Sequence, residues 1–223
     1  MPITHPDPTP DCGRKPDNDV MTALCRARLV AIVRGRDREA SLRTVLTLVE
    51  QGIDLVEVSL SGADALGVLE RAREAVGRHV WLGAGAVAAA ADVRRAADAG
   101  ADFVVTTRPG AGVAEAVARN MPAVAGASTP EEVRQADRAG ARALRVVPGS
   151  VGGTAHVRAL RTEFPRHLFI PVGAATPAEA VAYLAAGACA VGLGHPVVRD
   201  AADGGDLHAL RARVARFRAA CTA

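Results

Sequence analysis

Residues 126–144 read GASTPEEVRQADRAGARAL, and residues 173–191 read GAATPAEAVAYLAAGACAV, so the two segments match without a gap. Each contains Thr-Pro and, two residues after the proline, a glutamate. A threonine N-cap, a proline in the first turn and a glutamate at the third position form a capping box, which predicts the start of a helix. Each segment ends in Ala-Gly-Ala, where Gly140 or Gly187 suits the left-handed position after a helix. The repeat therefore predicts two copies of one helix–strand unit.

Short apolar runs alternate with amphipathic stretches outward from this repeat in both directions. The runs are too short for helices and apolar on both faces, as the strands of a buried parallel sheet are. They cover residues 29–33, 53–60, 80–83, 103–106, 123–126, 143–147, 168–172 and 188–192. Eight strands alternating with helices, together with the internal duplication, predict a (β/α)8 TIM barrel with an N-terminal helix. A doubly wound parallel sheet is the alternative fold.

The chain opens with a segment of different composition. Residues 1–19 are rich in Pro and Asp and lack the apolar stretch of a secretory signal, so we expect a flexible tail and a cytoplasmic protein. A helix is predicted to follow at about residues 20–28. Because the spacing of the later elements leaves no room for a second domain, residues 20–223 are predicted to form a single barrel domain.

Composition argues against several classes of function. The 223 residues are 49% hydrophobic and carry a formal net charge of +3, and basic residues alternate with acidic ones along the predicted helices. That pattern is typical of solvated helix faces, so nucleic acid is not an expected partner. No apolar run reaches the length of a membrane helix. The four cysteines are scattered and no His, Asp and Glu residues cluster with metal-ligand spacing, so we expect neither a metal nor another cofactor.

Two charged residues interrupt the apolar runs. Glu57 lies inside the second run and Arg145 inside the sixth. A buried charge costs several kcal/mol unless it is paired, so each of these residues requires a partner. Glu57 is a candidate general acid–base group, and Arg145 is a candidate binder of an anionic substrate. The alternative interpretation is a structural ion pair between Glu57 and either Arg34 or Arg145.

Further candidates lie where the predicted strands end, because the ligands of such barrels meet the carboxyl ends of the strands and the loops after them. We assign a substrate-binding role to Arg34, Gly85, Thr107, Gly173, Gly194 and His195. The glycines after the last two strands suit a phosphate cradle, although tight turns require glycine as well. For Arg34, the alternative to a binding role is a solvated arginine at the edge of a loop. For His195, the alternative is an ordinary loop histidine.

Taken in order, several motifs resemble the 2-keto-3-deoxy-6-phosphogluconate / 4-hydroxy-2-oxoglutarate aldolase family. They are VAIVRG at 30–35, GIDLVEVSL at 52–60, GAGAV at 83–87, ADFVV at 101–105, RVVP at 145–148 and PVG at 171–173. The resemblance implies a compact class I aldolase barrel that assembles as a homotrimer. It also implies cleavage of a 2-oxo acid to pyruvate and an aldehyde, with a Schiff-base lysine on the sixth strand and a proton-shuttling glutamate on the second.

At the two positions that carry the family's chemistry, this sequence has the glutamate but not the lysine. Glu57 falls on the family's glutamate, and Arg145 falls on its Schiff-base lysine. The chain's single lysine is Lys15, in the predicted tail. Ser61 stands where the family has a carboxylate-clamping arginine. Ala86 replaces the threonine of its G-A-G-T motif, Val172 the threonine of its P-T-G-G motif, and Gly194 its serine after the last strand.

These departures lead to three functional hypotheses. The first is a lyase-like enzyme that acts without a Schiff base on a small 2-oxo acid or related carboxylate, with Glu57 as acid–base group and Arg145 as the binder of the anion or enolate. The second is an enzyme of another reaction type on the same barrel, an isomerase, cyclase, dehydratase or decarboxylase. The third is a catalytically inactive homologue that binds a metabolite.

Overall fold

The computed structural model describes residues 19–221, and the predicted tail lies outside this range except for Asp19, which caps the first helix. Eight strands are present: β1 Leu29–Val33, β2 Leu55–Ser59, β3 Trp81–Val87, β4 Phe103–Thr106, β5 Ala123–Gly126, β6 Ala143–Val146, β7 Leu168–Pro171 and β8 Val191–Leu193. The helices are α1 Val20–Ala27, α2 Arg38–Glu50, α3 Ala65–Val76, α4 Ala90–Asp98, α5 Ala111–Ala118, α6 Pro130–Arg138, α7 Gly153–Glu163, α8 Pro177–Ala185, α9 His195–Val198 and α10 Leu207–Cys221. None of these helices is long and apolar enough to cross a membrane.

The strands form one parallel sheet that curls into a barrel. Their order is β7-β6-β5-β4-β3-β2-β1-β8, and a parallel bridge between Val172 and Gly192 joins the two ends. Each strand from β1 to β7 therefore neighbours the next one along the chain, as in a barrel, without the reversal of order that a doubly wound sheet requires. The predicted (β/α)8 fold with an N-terminal helix is confirmed.

Two predicted strands differ most from their bounds in the structure, and three others differ by one or two residues at an end. The eighth run was predicted at 188–192, whereas β8 starts at Val191, because the chain needs the preceding residues to return from α8 to the barrel wall. On this path the amide of Cys189 donates to the carbonyl of Phe169. The third run was predicted at 80–83, but β3 continues to Val87 through a register shift after Ala84.

Both repeated capping motifs begin a helix as predicted, but the predicted capping box is complete in α6 and not in α8. In α6, the hydroxyl of Thr129 accepts a hydrogen bond from the amide of Glu132. The Glu132 carboxylate in turn accepts a hydrogen bond from the amide of Thr129. In α8, Thr176 accepts from the amide of Glu179, but that carboxylate accepts from Ala175. After both helices the predicted glycines have positive φ, +92° at Gly140 and +98° at Gly187. Each unit therefore places a helix and the next strand in the same way.

Helix α1 closes the amino-terminal end of the barrel. Its buried face, Val20, Ala23 and Leu24, packs in one apolar cluster with the first residues of β2, β3, β4 and β6. A second and larger cluster lies between the strands and the outer helices. Because α1 covers one end, the site has to form at the carboxyl ends of the strands.

Candidate active site

A cavity of about 600 Å³ opens at the carboxyl ends of the strands. Its polar and charged lining comes from six strands or the segments after them, and consists of Arg34, Glu57, Ser59, Thr106, Thr107, Ser128, Thr129, Glu132, Arg145, His195 and Arg199. Three arginines and two glutamates leave an excess of one positive charge in the lining. A cavity of this size and charge suits a small anionic molecule.

Glu57 and Arg145 meet across the inside of the barrel. They lie on β2 and β6, which are four strands apart in the sheet and therefore on opposite sides of the barrel. Nη1 of Arg145 donates to Oε1 of Glu57 at 3.0 Å, and Nη2 donates to Oε2 of the same carboxylate. Glu57 is 1% exposed and the Arg145 side chain is 16% exposed. The structure thus selects Arg145, rather than Arg34, as the partner of Glu57, and the pair lines the cavity.

Arg145 keeps donors beyond those that bind Glu57. Its Nε is buried and has no hydrogen-bond partner among the described residues. Burial lowers the pKa of the Arg145 guanidinium to about 10, which still leaves the group charged at pH 7. The guanidinium therefore remains a cation with an unused N–H, which is the chemistry of an anion binder rather than of a nucleophile.

Gly85 makes room for the Glu57 carboxylate. A Cβ at this position would lie 1.6 Å from Oε1 of Glu57, a separation that two heavy atoms cannot adopt. Gly85 was predicted to bind substrate, and the structure places it behind the glutamate, outside the cavity lining. Its observed role is to let the buried carboxylate lie flat against β3.

We expect Gly85→Ala to destabilise the fold by about 1–3 kcal/mol, because the new methyl group forces Glu57 out of its place against β3. Gly194→Ala is the matched control, since a Cβ there meets only Val172 Cγ1 at 3.7 Å and the backbone φ is −94°. Urea unfolding of both variants measures the difference. Equal stability of the two variants would contradict this packing.

The other predicted binding residues divide into two groups. Arg34, Thr107, Gly194 and His195 all line the cavity. Gly173, with φ of +117°, follows Val172 in the chain and is not among the residues that line it.

Several lining residues were not singled out as site residues from the sequence. Ser128, Thr129 and Glu132 belong to the loop after β5 and the capping box of α6. Hydrogen bonds from the backbone, first from Ser128, lower the pKa of Glu132, so this carboxylate stays ionised in its cap. The Thr-Pro-x-Glu motif predicts the helix start, but nothing in it indicates that the helix begins at the wall of a cavity.

Two non-glycine residues of the lining adopt left-handed backbone conformations. Ala86 has φ of +56° and Arg199 has φ of +51°. Such conformations cost about 1 kcal/mol or more each for residues with a Cβ, and they concentrate at functional sites. At Ala86 the turn of the backbone coincides with the register shift of β3 against β4. No spacing of residues in the sequence reveals this strain, since alanine itself favours regular structure.

Known proteins share both the sequence pattern and the fold. The family model described as KDPG and KHG aldolase matches residues 20–212. A probable 2-dehydro-3-deoxy-6-phosphogalactonate aldolase of Rhizobium meliloti is 32% identical over 181 residues, 80% of this chain and 85% of that protein. The 2-dehydro-3-deoxy-6-phosphogalactonate aldolase of Escherichia coli is 30% identical over 173 residues, 77% of this chain and 84% of that protein.

Solved structures agree with the sequence relatives. The structure titled "Native KDPGal structure" has a TM-score of 0.80 at 28% identity, and the alignment covers 86% of this chain and 93% of that one. A 4-hydroxy-2-oxoglutarate/2-deydro-3-deoxyphosphogluconate aldolase has a TM-score of 0.76 at 30% identity and covers 92% of this chain. With a family model that spans nearly the whole barrel and relatives that match along most of their length, this chain belongs to the KDPG and KHG aldolase family.

Proposed function

We propose that this protein is a lyase-like enzyme that acts on a small 2-oxo acid or a related carboxylate without forming a Schiff base. The observation that carries the proposal is the Glu57–Arg145 pair in the cavity at the carboxyl end of the barrel. Relatives named as aldolases support carbon–carbon bond chemistry at this site. We propose a mechanism without an imine because this chain has an arginine, Arg145, where the resembled family has its Schiff-base lysine.

An imine requires an amine that is neutral for part of the time near pH 7. Arg145 is not such a group, because even its lowered pKa of about 10 leaves it charged. The chain has one lysine, Lys15, which lies outside the described residues. The carbonyl carbon of the substrate therefore has no amine from the barrel itself to attack it.

In the mechanism we propose, the substrate's 2-oxo oxygen and carboxylate bind the free N–H groups of Arg145, with Arg34 as a second cation at the mouth. The incoming anion replaces part of the contact between Arg145 and Glu57, which frees a carboxylate oxygen of Glu57. That oxygen takes the proton of the 4-hydroxyl group, the C3–C4 bond breaks, and its electron pair forms the enolate of pyruvate beside Arg145. Glu57 then returns the proton to C3, and pyruvate and an aldehyde leave.

Stabilisation of the enolate is the main task in this scheme. A preorganised donor at a developing oxyanion contributes on the order of 3 kcal/mol. Arg145 meets this requirement because its guanidinium is already held in the cavity by Glu57 before substrate arrives, so only part of that contact has to change. The Arg145 side chain is also mostly buried, at 16% exposure, which strengthens its interaction with a charge beside it.

Proton exchange into pyruvate tests this function without knowledge of the full substrate. In D2O we expect the protein to replace the methyl protons of pyruvate by deuterium, as measured by NMR, because enolisation is the shared step of cleavage and condensation. Borohydride added with pyruvate should leave the mass of the protein unchanged.

Two other outcomes separate the alternatives. A reduced pyruvate adduct within residues 20–223 would overturn the Schiff-base-free mechanism. Absence of exchange, together with no pyruvate release from any 4-hydroxy-2-oxo acid, phosphorylated or not, would favour another reaction type or a metabolite-binding protein. Binding of the same acids, measured by calorimetry, then distinguishes these two.

We also propose a homotrimer, which rests on the resemblance to the aldolase family. Light scattering of the purified chain should then give about three times the monomer mass of 22.9 kDa. A monomeric mass would remove this part of the proposal and leave the site chemistry untouched, because that chemistry is argued from Glu57 and Arg145, which pair within one chain.

A further inference from the structure

Three of the four cysteines line one groove on the outside of the barrel. Cys25 lies on α1, Cys189 on the segment before β8, and Cys221 at the end of α10. The groove has a volume of about 470 Å³ and shares no lining residue with the cavity described above. The sequence, in which these residues are far apart, indicated only scattered cysteines.

Two of these thiols influence each other across the groove that they share. Hydrogen bonding between the Cys25 and Cys189 side chains is the largest cause of the shift in the pKa of each. Cys25 is exposed, Cys189 is half-buried, and neither forms a disulfide in the structure. Cys221 is 1% exposed, and only its backbone carbonyl is bound, by Nη1 of Arg28 at 3.4 Å. Of the two other thiols in the groove, Cys189 is therefore the one that acts on the exposed Cys25, and Cys221 is fully buried.

The surroundings make the two thiols unequal. The hydrogen bond from Cys189 lowers the pKa of Cys25 to about 7, with a smaller contribution from Arg161 on α7 and opposing ones from burial and from Asp19. The same hydrogen bond and burial raise the pKa of Cys189 well above its usual value. Burial also raises the pKa of Cys221, against a lowering effect of Arg28. Cys25 is thus the thiolate of the group, and a thiolate is the form that attacks.

We propose that Cys25 and Cys189 are a hydroperoxide-reactive pair that closes to a disulfide and ties α1 to the barrel. The Cys25 thiolate attacks the peroxide, the O–O bond breaks, and the thiolate becomes a sulfenic acid as hydroxide or alkoxide leaves. The Cys189 sulfur, on losing its proton, attacks that sulfur and displaces the oxygen as water. Two thiols lose two electrons and two protons, and hydrogen peroxide is reduced to two waters.

The position of the pair gives the disulfide a structural effect. Helix α1 is held to the barrel by apolar packing of Val20, Ala23 and Leu24. A disulfide from Cys25 to the segment before β8 would also join α1 to the barrel covalently and close a long loop of the chain between the two cysteines. Cross-links of long loops restrict the unfolded chain, so we expect the oxidised protein to melt about 5 °C higher than the reduced one.

The test uses the full chain with Cys12→Ser, because Cys12 lies outside the described residues and is the remaining thiol. Hydrogen peroxide should remove two hydrogens from the intact mass, and peptide mapping without reduction should give the Cys25–Cys189 cross-link. Cys221→Ser should behave in the same way, whereas Cys25→Ser and Cys189→Ser should not lose the two hydrogens.

The pH dependence of the reaction is a second measurement, and it needs no variant that removes either thiol. We expect the rate of peroxide consumption to reach a plateau above pH 8 and to fall to about a tenth of it at pH 6, as a thiol of pKa about 7 requires. Oxidation of Cys25 to a sulfinic acid with no disulfide would overturn the proposal. A cross-link to Cys221, or a rate that still rises steeply above pH 9, would overturn it as well.

Discussion

Replacing Glu57 with glutamine is expected to lower the rate of proton exchange into pyruvate by at least about 100-fold, the low end of what a general acid–base group contributes. Glutamine has nearly the same shape and can still accept a hydrogen bond from Arg145, so the site keeps its form and loses its base. The measurement is the exchange rate in D2O for the two proteins at equal folded concentration. Unchanged exchange in the variant would remove Glu57 from the chemistry.

The same substitution should also cost stability, because Glu57 neutralises the charge of Arg145. Removing one partner of a buried pair leaves the other charge uncompensated, at a cost of about 3 kcal/mol. Glu57→Gln with Arg145→Met is the matched control: it removes both charges and should recover most of this loss without restoring exchange. A loss of stability with full activity would indicate that the pair is structural only.

The parts of this fold that the sequence predicts are those fixed by local chemistry. The Thr-Pro-x-Glu motifs at Thr129 and Thr176 and the glycines at 140 and 187 predict helix starts and ends because their partners lie within a few residues. The bounds of β3 and β8 differ from the sequence prediction, because a register shift and a return path depend on neighbouring strands. Contacts between neighbouring strands cannot be predicted from the pattern of residues within one strand.

The site divides in the same way. Glu57 and Arg145 stand out in the sequence because a charge inside an apolar run requires a partner, and the structure supplies each with the other. The close approach of the Glu57 carboxylate to Gly85, where a Cβ would lie 1.6 Å from Oε1, is visible only in the folded backbone. The groove shared by Cys25 and Cys189 likewise depends on how α1 packs against the barrel.

Arg145→Lys is expected to give the site the imine chemistry that the parent protein lacks. It tests the mechanism at the residue where this chain differs from the Schiff-base lysine of the resembled family. The variant places an amine on β6 within reach of Glu57, at a position where the Arg145 side chain is 16% exposed and burial favours the neutral form of lysine. Borohydride with pyruvate should then give an adduct at position 145 that the parent protein does not form. Proton exchange by the Schiff-base-free route should fall, since a planar donor that binds two atoms at once becomes a point charge.

Arg142→Lys is the matched control for this variant, because residue 142 is exposed and immediately precedes β6. A lysine there has ordinary access to pyruvate but no buried carboxylate beside it, so it should form no adduct under the same conditions. Undiminished exchange in Arg145→Lys, with no adduct, would show that Arg145 contacts no reacting group. A folded Arg145→Lys variant that gives no adduct even at high pyruvate concentration and raised pH, and whose parent protein also fails to exchange, would instead favour a barrel that binds its metabolite without transforming it.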